Sequence, residues 1–366
     1  MDEKELQTII SKCQRSLTYH APVQKFVRNT LSDLANFVDA EAVSDVYGSG
    51  HLIENFEHEI AELLDKQAAV FMPSGTMAQQ IAMRIWSDKA GIRTLAFHPT
   101  CHLEIHEQKG YEFLHQLNAV LVGQPDCLIT LADLEQLHSP LSVLLLELPQ
   151  REIGGQLPAW EDLVAQVNWA RSRGIKVHLD GARLWECKPF YQREYSEIAG
   201  LFDSVYVSFY KGLGGITGSV LAGDSEFIAE AKLWQRRHGG NLRSLYPYVL
   251  SAKKGLQEYL DQMNAFYHKA VELAEIMSAY DLFEVVPNPP QTNMFHLYAR
   301  AEKDTLIQAA GLIAREKSIV MPYRFFPSPM PAFQKNEITI GSAALEIPKD
   351  ELHEVIALWV EAIING

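Results

Sequence analysis

Three short polar stretches stand where apolar runs end, and each holds a residue type able to act on a small molecule: Ser74-Gly75-Thr76, Asp180 and Arg183 in HLDGAR (178–183), and Lys211 in SFYKGLGG (208–215). A glycine between two hydroxyls at a helix start offers bare backbone donors and the positive end of the helix dipole to an anion such as phosphate. Its bland counterpart is a plain N-cap, since Ser and Thr favour that position. A lysine at a strand end, followed by Gly212, Gly214 and Gly215, suits imine formation with a carbonyl, because lysine changes its proton affinity readily when buried. An exposed loop lysine is the bland counterpart there. His98, His102 and His106 are spaced by four and would suit metal ligands on one helical face, but Pro99 and the lack of partnering carboxylate pairs weigh against a zinc site. HEQKG lacks the second histidine of H-E-x-x-H, and no stretch completes a Walker A or G-x-G-x-x-G pattern.

The elements that must position these residues are legible from periodicity. Ile53, Phe56, Ile60, Leu63 and Leu64 form one stripe at helical spacing, and AAVFM before Pro73 followed by Met77, Ile81 and Ile85 reads as strand, tight turn, helix. Further apolar runs fall at Thr94–Phe97, Ala119–Val122, Val143–Leu148, Ile175–Leu179, SVYVSFY and GSVLAG, with a helix in WEDLVAQVNWARSRG capped by Gly174. Apolar runs alternating with helices imply an α/β domain whose sheet is largely parallel and covered on both faces. Ligands of such sheets bind beyond the carboxyl ends of the strands, where the three polar stretches lie. A long helical stretch over 246–280, the break VPNPPQ, the run TNMFHLYA, a helix over 302–317, the run EITIGSAA and a helix over 349–363 predict a smaller α+β domain. The expected division is an N-terminal segment, 1–45, packing on the small domain or a neighbouring subunit, a large domain over 46–250, and a long helix with the small domain over 251–366.

Composition bounds the function. With 366 residues the chain is long enough for two domains, and 47% hydrophobic with 21% charged residues is ordinary for a folded protein. A net charge of -14 repels nucleic acid and anionic lipid, and the only basic cluster, WQRRHGGNLR, is too short to form a tract. Cys13, Cys101, Cys127 and Cys187 lie far apart with no paired spacing, which fits reduced thiols in the cytoplasm. No apolar stretch approaches the ~20 residues that span a bilayer, and the N-terminus lacks the pattern of a secretory signal.

Taken together, a phosphate-binding turn, a later aspartate at a strand end and a lysine about thirty residues on match the needs of pyridoxal phosphate, which requires a phosphate cup, an acid at its pyridinium nitrogen and an imine lysine. The motifs SDVYGSG, VFMPSGTMAQQ, CHLEIHEQKG, HLDGARLW, SFYKGLGGITGSVLAG and RRHGGNLRS occur in order from Ser44 to Ser244, with RSLT at Arg15–Thr18. In them the sequence resembles the threonine aldolase branch of the β-eliminating lyases, pyridoxal-phosphate enzymes of fold type I. The resemblance implies a large domain with a mostly parallel seven-stranded sheet and a small C-terminal α+β domain. It implies that Lys211 holds the cofactor as an imine, Asp180 pairs with the ring nitrogen, His102 stacks on the ring, and Ser74, Gly75, Thr76, Ser208 and Arg243 complete the cofactor site. Arg183 would contact the phenolic oxygen or the substrate carboxylate, and Ser16, Tyr47 and Gln150 would lie near the substrate. A homodimer or homotetramer follows from the same resemblance, because such enzymes place their active site at a dimer interface.

Two departures concern the substrate. Where family aldolases carry Asn-Thr-His after a strand-end Glu, this chain reads ELPQREIGG, so Gln150 stands at the histidine's position. Near the C-terminus, where the family places an Arg before a Thr-His pair, the chain has Glu337 in KNEITIGSAAL, leaving Arg324 or Arg151 as candidate carboxylate anchors. The expected reaction is aldol cleavage of a β-hydroxy amino acid to glycine and an aldehyde. β-Elimination on another small amino acid is the alternative, and a non-catalytic relative is disfavoured because scaffolding needs none of Lys211, Asp180 and His102.

Overall fold

The structure, a computed structural model, describes residues 3–21 and 26–366. The chain folds as two compact units: 32–152 with 157–260, and 1–31 with 153–156 and 261–366.

The larger unit is built on seven strands: β1 (Ala68–Met72), β2 (Thr94–Phe97), β3 (Asn118–Leu121), β4 (Val143–Glu147), β5 (Lys176–Gly181), β6 (Ser204–Ser208) and β7 (Ser219–Gly223). Their spatial order is β1-β7-β6-β5-β4-β2-β3, and only β7 runs against its neighbours. The seven apolar runs of the sequence are these seven strands. Apart from the edge strand β3, whose residues are half-buried or exposed, they read as near-continuous apolar runs because both faces are covered: Val70, Met72, Leu95, Phe97, Leu145 and Leu221 pack with Ile81, Ile85 and Phe227 in one cluster, while Phe71 turns to Phe56 and Phe209. β6 and β7 are joined by a hairpin that carries Lys211, closed by Phe209 N–H to Gly218 O (3.2 Å) and Gly215 N–H to Phe209 O (2.8 Å).

The helix Gly75–Ala90 leaves the end of β1 through Ser74, whose hydroxyl accepts from Met77 N–H at 3.3 Å. Its first residue must be glycine, since a Cβ there would lie 1.9 Å from the Tyr206 hydroxyl on β6. The helix Trp160–Ser172 ends as predicted, with Gly174 at φ +71° just beyond it.

The smaller unit holds an antiparallel sheet of β8 (Phe283–Val286), β9 (Met294–Ala299), β10 (Phe326–Pro327) and β11 (Gln334–Thr339), in the order β10-β11-β9-β8. Helices Met263–Ser278, Lys303–Lys317 and Lys349–Asn365 accompany it, and Arg15–Ser16 pairs in parallel with Ile319–Val320. The N-terminal helical pattern forms Glu3–Ile10, and Met1 and Asp2 lie outside the described residues. The single helix expected over 246–280 is two, Tyr246–Tyr259 and Met263–Ser278, separated by a 3₁₀ turn at Leu260–Gln262 where the two units divide. A 3₁₀ turn needs neither Gly nor Pro, so the apolar spacing runs through it unmarked.

One buried carboxylate anchors the loop that contains SDVYGSG. Asp45 is 0% exposed and accepts from Leu245 N–H (2.9 Å) and Tyr246 N–H (2.8 Å) at the start of the helix Tyr246–Tyr259. Asp45→Ala leaves those donors unpaired, so urea unfolding should show a loss of about 1–3 kcal/mol, and Asp45→Asn should recover part of it.

Candidate active site

Parallel register places three chemical groups side by side at the carboxyl ends of β4, β5 and β6. Glu147 lies opposite Asp180, Asp180 lies opposite Tyr206, and Lys211 follows β6 by three residues. Lys211, Asp180, Glu147, Thr100, His102, His106, Arg151 and Arg183 line one cavity.

Asp180 is 1% exposed, and each of its oxygens is held: Oδ2 accepts from Gln79 Nε2 at 2.7 Å and Oδ1 from Ala182 N–H at 3.1 Å. Each oxygen keeps a further lone pair for a cationic N–H donor. Burial lowers the proton affinity of the Lys211 amine, against the pull of the Asp180 carboxylate. Burial, then the neighbouring Asp180 carboxylate, pushes the Glu147 carboxyl up to about 8, although Arg151 N–H donates to its Oε1 at 3.2 Å.

His102 opens the short helix His102–Ile105, and its Nδ1 lies 2.9 Å from Glu107 Oε1. Glu107 Oε2 in turn accepts from Gln80 Nε2 at 3.0 Å. Gln80 needs Gly110, where a Cβ would come within 2.3 Å of Nε2, so HEQKG serves the buried Glu107–Gln80 pair that fixes the half-buried His102 ring. Arg183 donates to Glu186 Oε1 at 3.3 Å, and Gly212 is bare where a Cβ would lie 2.7 Å from that oxygen.

Other expected residues take different places. Ser208 is buried and donates to Ala182 O at 2.8 Å, tying β6 to the loop after Asp180. Tyr47 and Arg243 are exposed and lean on each other, the guanidinium 5.7 Å from the ring centre and Tyr47 N–H bonded to Arg243 O. Gln150 is 3% exposed and turns its amide to Thr100 Oγ1 (3.2 Å) and Glu147 Oε2 (3.3 Å), lining a neighbouring cavity with His98 and Cys101. Ser16 and Arg324 line a cavity of about 220 Å³ within the smaller unit, together with Glu337. The three spaced histidines do not share a helical face: His98 bonds Thr100 and Cys127 O, whereas His102 and His106 each meet a glutamate. Sequence reasoning does not single out Gln79, Glu107, Glu147 or Glu152. The spacing of five from His102 to Glu107 is the available signal for one of them.

The residues fit pyridoxal phosphate: a largely buried amine of lowered proton affinity, a buried carboxylate with acceptor capacity to spare, and a glycine-bared helix start between two hydroxyls. The raised Glu147 carboxyl has a consequence for stability. The folded chain keeps its proton up to about 8 while the unfolded chain releases it in the ordinary carboxyl range, so the native state binds more protons in between and stability falls as pH rises through that window. Glu147→Gln removes this loss. Urea melts should show the variant gaining roughly 1 kcal/mol or more on the wild type between pH 5 and 8; a constant difference would refute the assignment.

Residues 32–302 match the family described as Beta-eliminating lyase. A solved Listeria monocytogenes structure, assigned as an L-allo-threonine aldolase, is 43% identical and superposes with a TM-score of 0.93 over 98% of this chain and 99% of that one. An Exiguobacterium structure, assigned as an aromatic amino acid beta-eliminating lyase/threonine aldolase, is 41% identical with a TM-score of 0.93 over the same shares. Low-specificity L-threonine aldolase 1 of Arabidopsis thaliana is 28% identical over 269 residues, 71% of this chain and 75% of that protein. With motif order, strand-end geometry and full-length similarity in agreement, the chain belongs to the beta-eliminating lyase family.

Proposed function

We propose that the chain is a pyridoxal-phosphate-dependent lyase that cleaves a β-hydroxy amino acid of the threonine or allo-threonine type to glycine and an aldehyde. The observation that carries this reading is the convergence of Lys211, Asp180 and His102 on one cavity at adjacent strand ends. Its relatives named as threonine aldolases supply the reaction class.

When bound, the cofactor supplies an electron sink for the pair left at the substrate Cα. Lys211 is the group that would hold it covalently, since burial keeps a larger share of its amine in the nucleophilic form. Asp180 would pair with the ring nitrogen, oriented by Gln79 and Ala182 N–H, and His102 would press its ring on the cofactor face, its plane set by Glu107. Ser74, Gly75 and Thr76 would take the phosphate at the helix start. Arg183 is placed for a cofactor oxygen or the substrate carboxylate, and Arg151, lining the same cavity, is the favoured carboxylate anchor over Arg324. Ser208 acts behind this set by holding the Ala182 loop. The exposed pairing of Tyr47 with Arg243 suits residues offered to a second subunit, in keeping with a homodimer or homotetramer.

Reduction of the loaded protein with borohydride should leave a cofactor adduct on the Lys211 peptide, and Lys211→Ala should lose both the adduct and the yellow chromophore. Asp180→Ala should lower kcat by about 10²-fold or more through the lost charge at the ring nitrogen. Purified enzyme supplied with threonine and allo-threonine should release glycine and acetaldehyde. Ammonia and a keto acid as the main products would instead establish β-elimination.

A further inference from the structure

Gln150 stands where the resemblance leads one to expect a histidine at the substrate hydroxyl, and its amide is engaged by Thr100 and Glu147. An amide takes no proton, so an aldol cleavage in this chain needs its base elsewhere. The cavity around Lys211 narrows the choice. Arg151 and Arg183 are permanently protonated, Lys211, Asp180 and His102 are assigned to the cofactor, and Glu147 accepts from the Gln150 amide and from Arg151 N–H.

His106 is the cavity-lining imidazole left over. It closes the short helix His102–Ile105, four residues after His102, with ring centres 5.1 Å apart and planes at 46°. Its Nε2 lies 2.9 Å from Glu152 Oε1, and the same oxygen accepts from Arg151 at 3.0 Å. A carboxylate accepts only, so the neutral ring carries its hydrogen on Nε2 and presents Nδ1 as a proton acceptor. With 40% of its side chain exposed, His106 is open to a ligand entering the cavity. Surface His–Glu pairs are common and contribute little to stability; this one lines the cavity that also holds Lys211.

We propose that His106, oriented by Glu152, is the catalytic base that takes the proton from the substrate's β-hydroxyl. The assignment rests on the lyase reading above. In the step, Nδ1 accepts the hydroxyl proton, the O–H pair becomes the carbonyl π bond of the aldehyde, and the Cα–Cβ bond breaks with its electrons left at Cα. The proton later taken up at Cα to form glycine balances the one held by His106.

The test compares two reactions of the holoenzyme: aldehyde release from allo-threonine, and exchange of the glycine α-proton in D₂O, which involves no β-hydroxyl. His106→Ala should lower aldehyde release by about 10²-fold or more, with partial rescue by added imidazole, while glycine exchange stays within about threefold of wild type. Glu152→Gln should lower aldehyde release by about tenfold. Nitrogen-15 NMR of histidine-labelled holoenzyme should show the His106 signal, identified by its loss in His106→Ala, as the Nε2–H form. Aldehyde release by His106→Ala within about threefold of wild type would overturn the proposal, as would parallel loss of both reactions without rescue, or an Nδ1–H form. A wild-type enzyme that releases no aldehyde would overturn the lyase reading itself, and this base with it.

Discussion

Charge brought out of water at adjacent strand ends is the constraint on which the rest of the larger unit depends. Parallel register sets Glu147 beside Asp180, and the hairpin after β6 brings Lys211 to the same edge. Two carboxylates and an amine in a low-dielectric cavity repel or attract far more strongly than in water, and each must find partners or change its protonation. The chain meets this with donors from separate elements. Gln79 from the helix after β1 and the Ala182 N–H hold Asp180, while Gln150 and the Arg151 N–H hold Glu147. The shift of Glu147 toward its neutral form is the remaining compensation. The functional cavity and the electrostatic balance of the sheet edge are thus one arrangement.

Glycines make that arrangement sterically possible in three separate places. Gly75 clears Tyr206, Gly110 clears Gln80 and Gly212 clears Glu186. At Gly110 and Gly212 the absent Cβ admits a polar side chain that positions a candidate site residue, His102 through Glu107 and Arg183 in turn, while at Gly75 it lets the helix start lie against the Tyr206 hydroxyl. Such positions read in sequence as flexible loop, yet here they mark close approach.

The strands and the strand-end placement of Ser74–Thr76, Asp180 and Lys211 were legible because burial on both faces writes every strand but the edge strand β3 as an apolar run that stops where chemistry begins. What the sequence hid depends on contacts between distant residues. Gln79 reads as an ordinary helix residue until β5 delivers Asp180 to it, 101 positions away. Glu152 reads as surface charge until His106 meets it. Residues 153–156 belong to the smaller unit although they are flanked by the larger one, because Gly154 and Gly155 pack against Val286 and Met294. No local pattern announces such an insertion. Tyr47 and Arg243 share motifs with the site residues, but their partnership with each other appears only in three dimensions.

The reversal of β7 bears on how the lysine works. Because β7 returns beside β6, Lys211 is tethered at both ends by paired strands, and Gly214 N–H to Lys211 O and Gly215 N–H to Phe209 O staple the intervening turn. Its backbone therefore has little room to travel. Any exchange of partners by the amine during turnover must be executed by rotation about its own four-carbon stem, a pivoting arm on a fixed hinge plate rather than a moving loop.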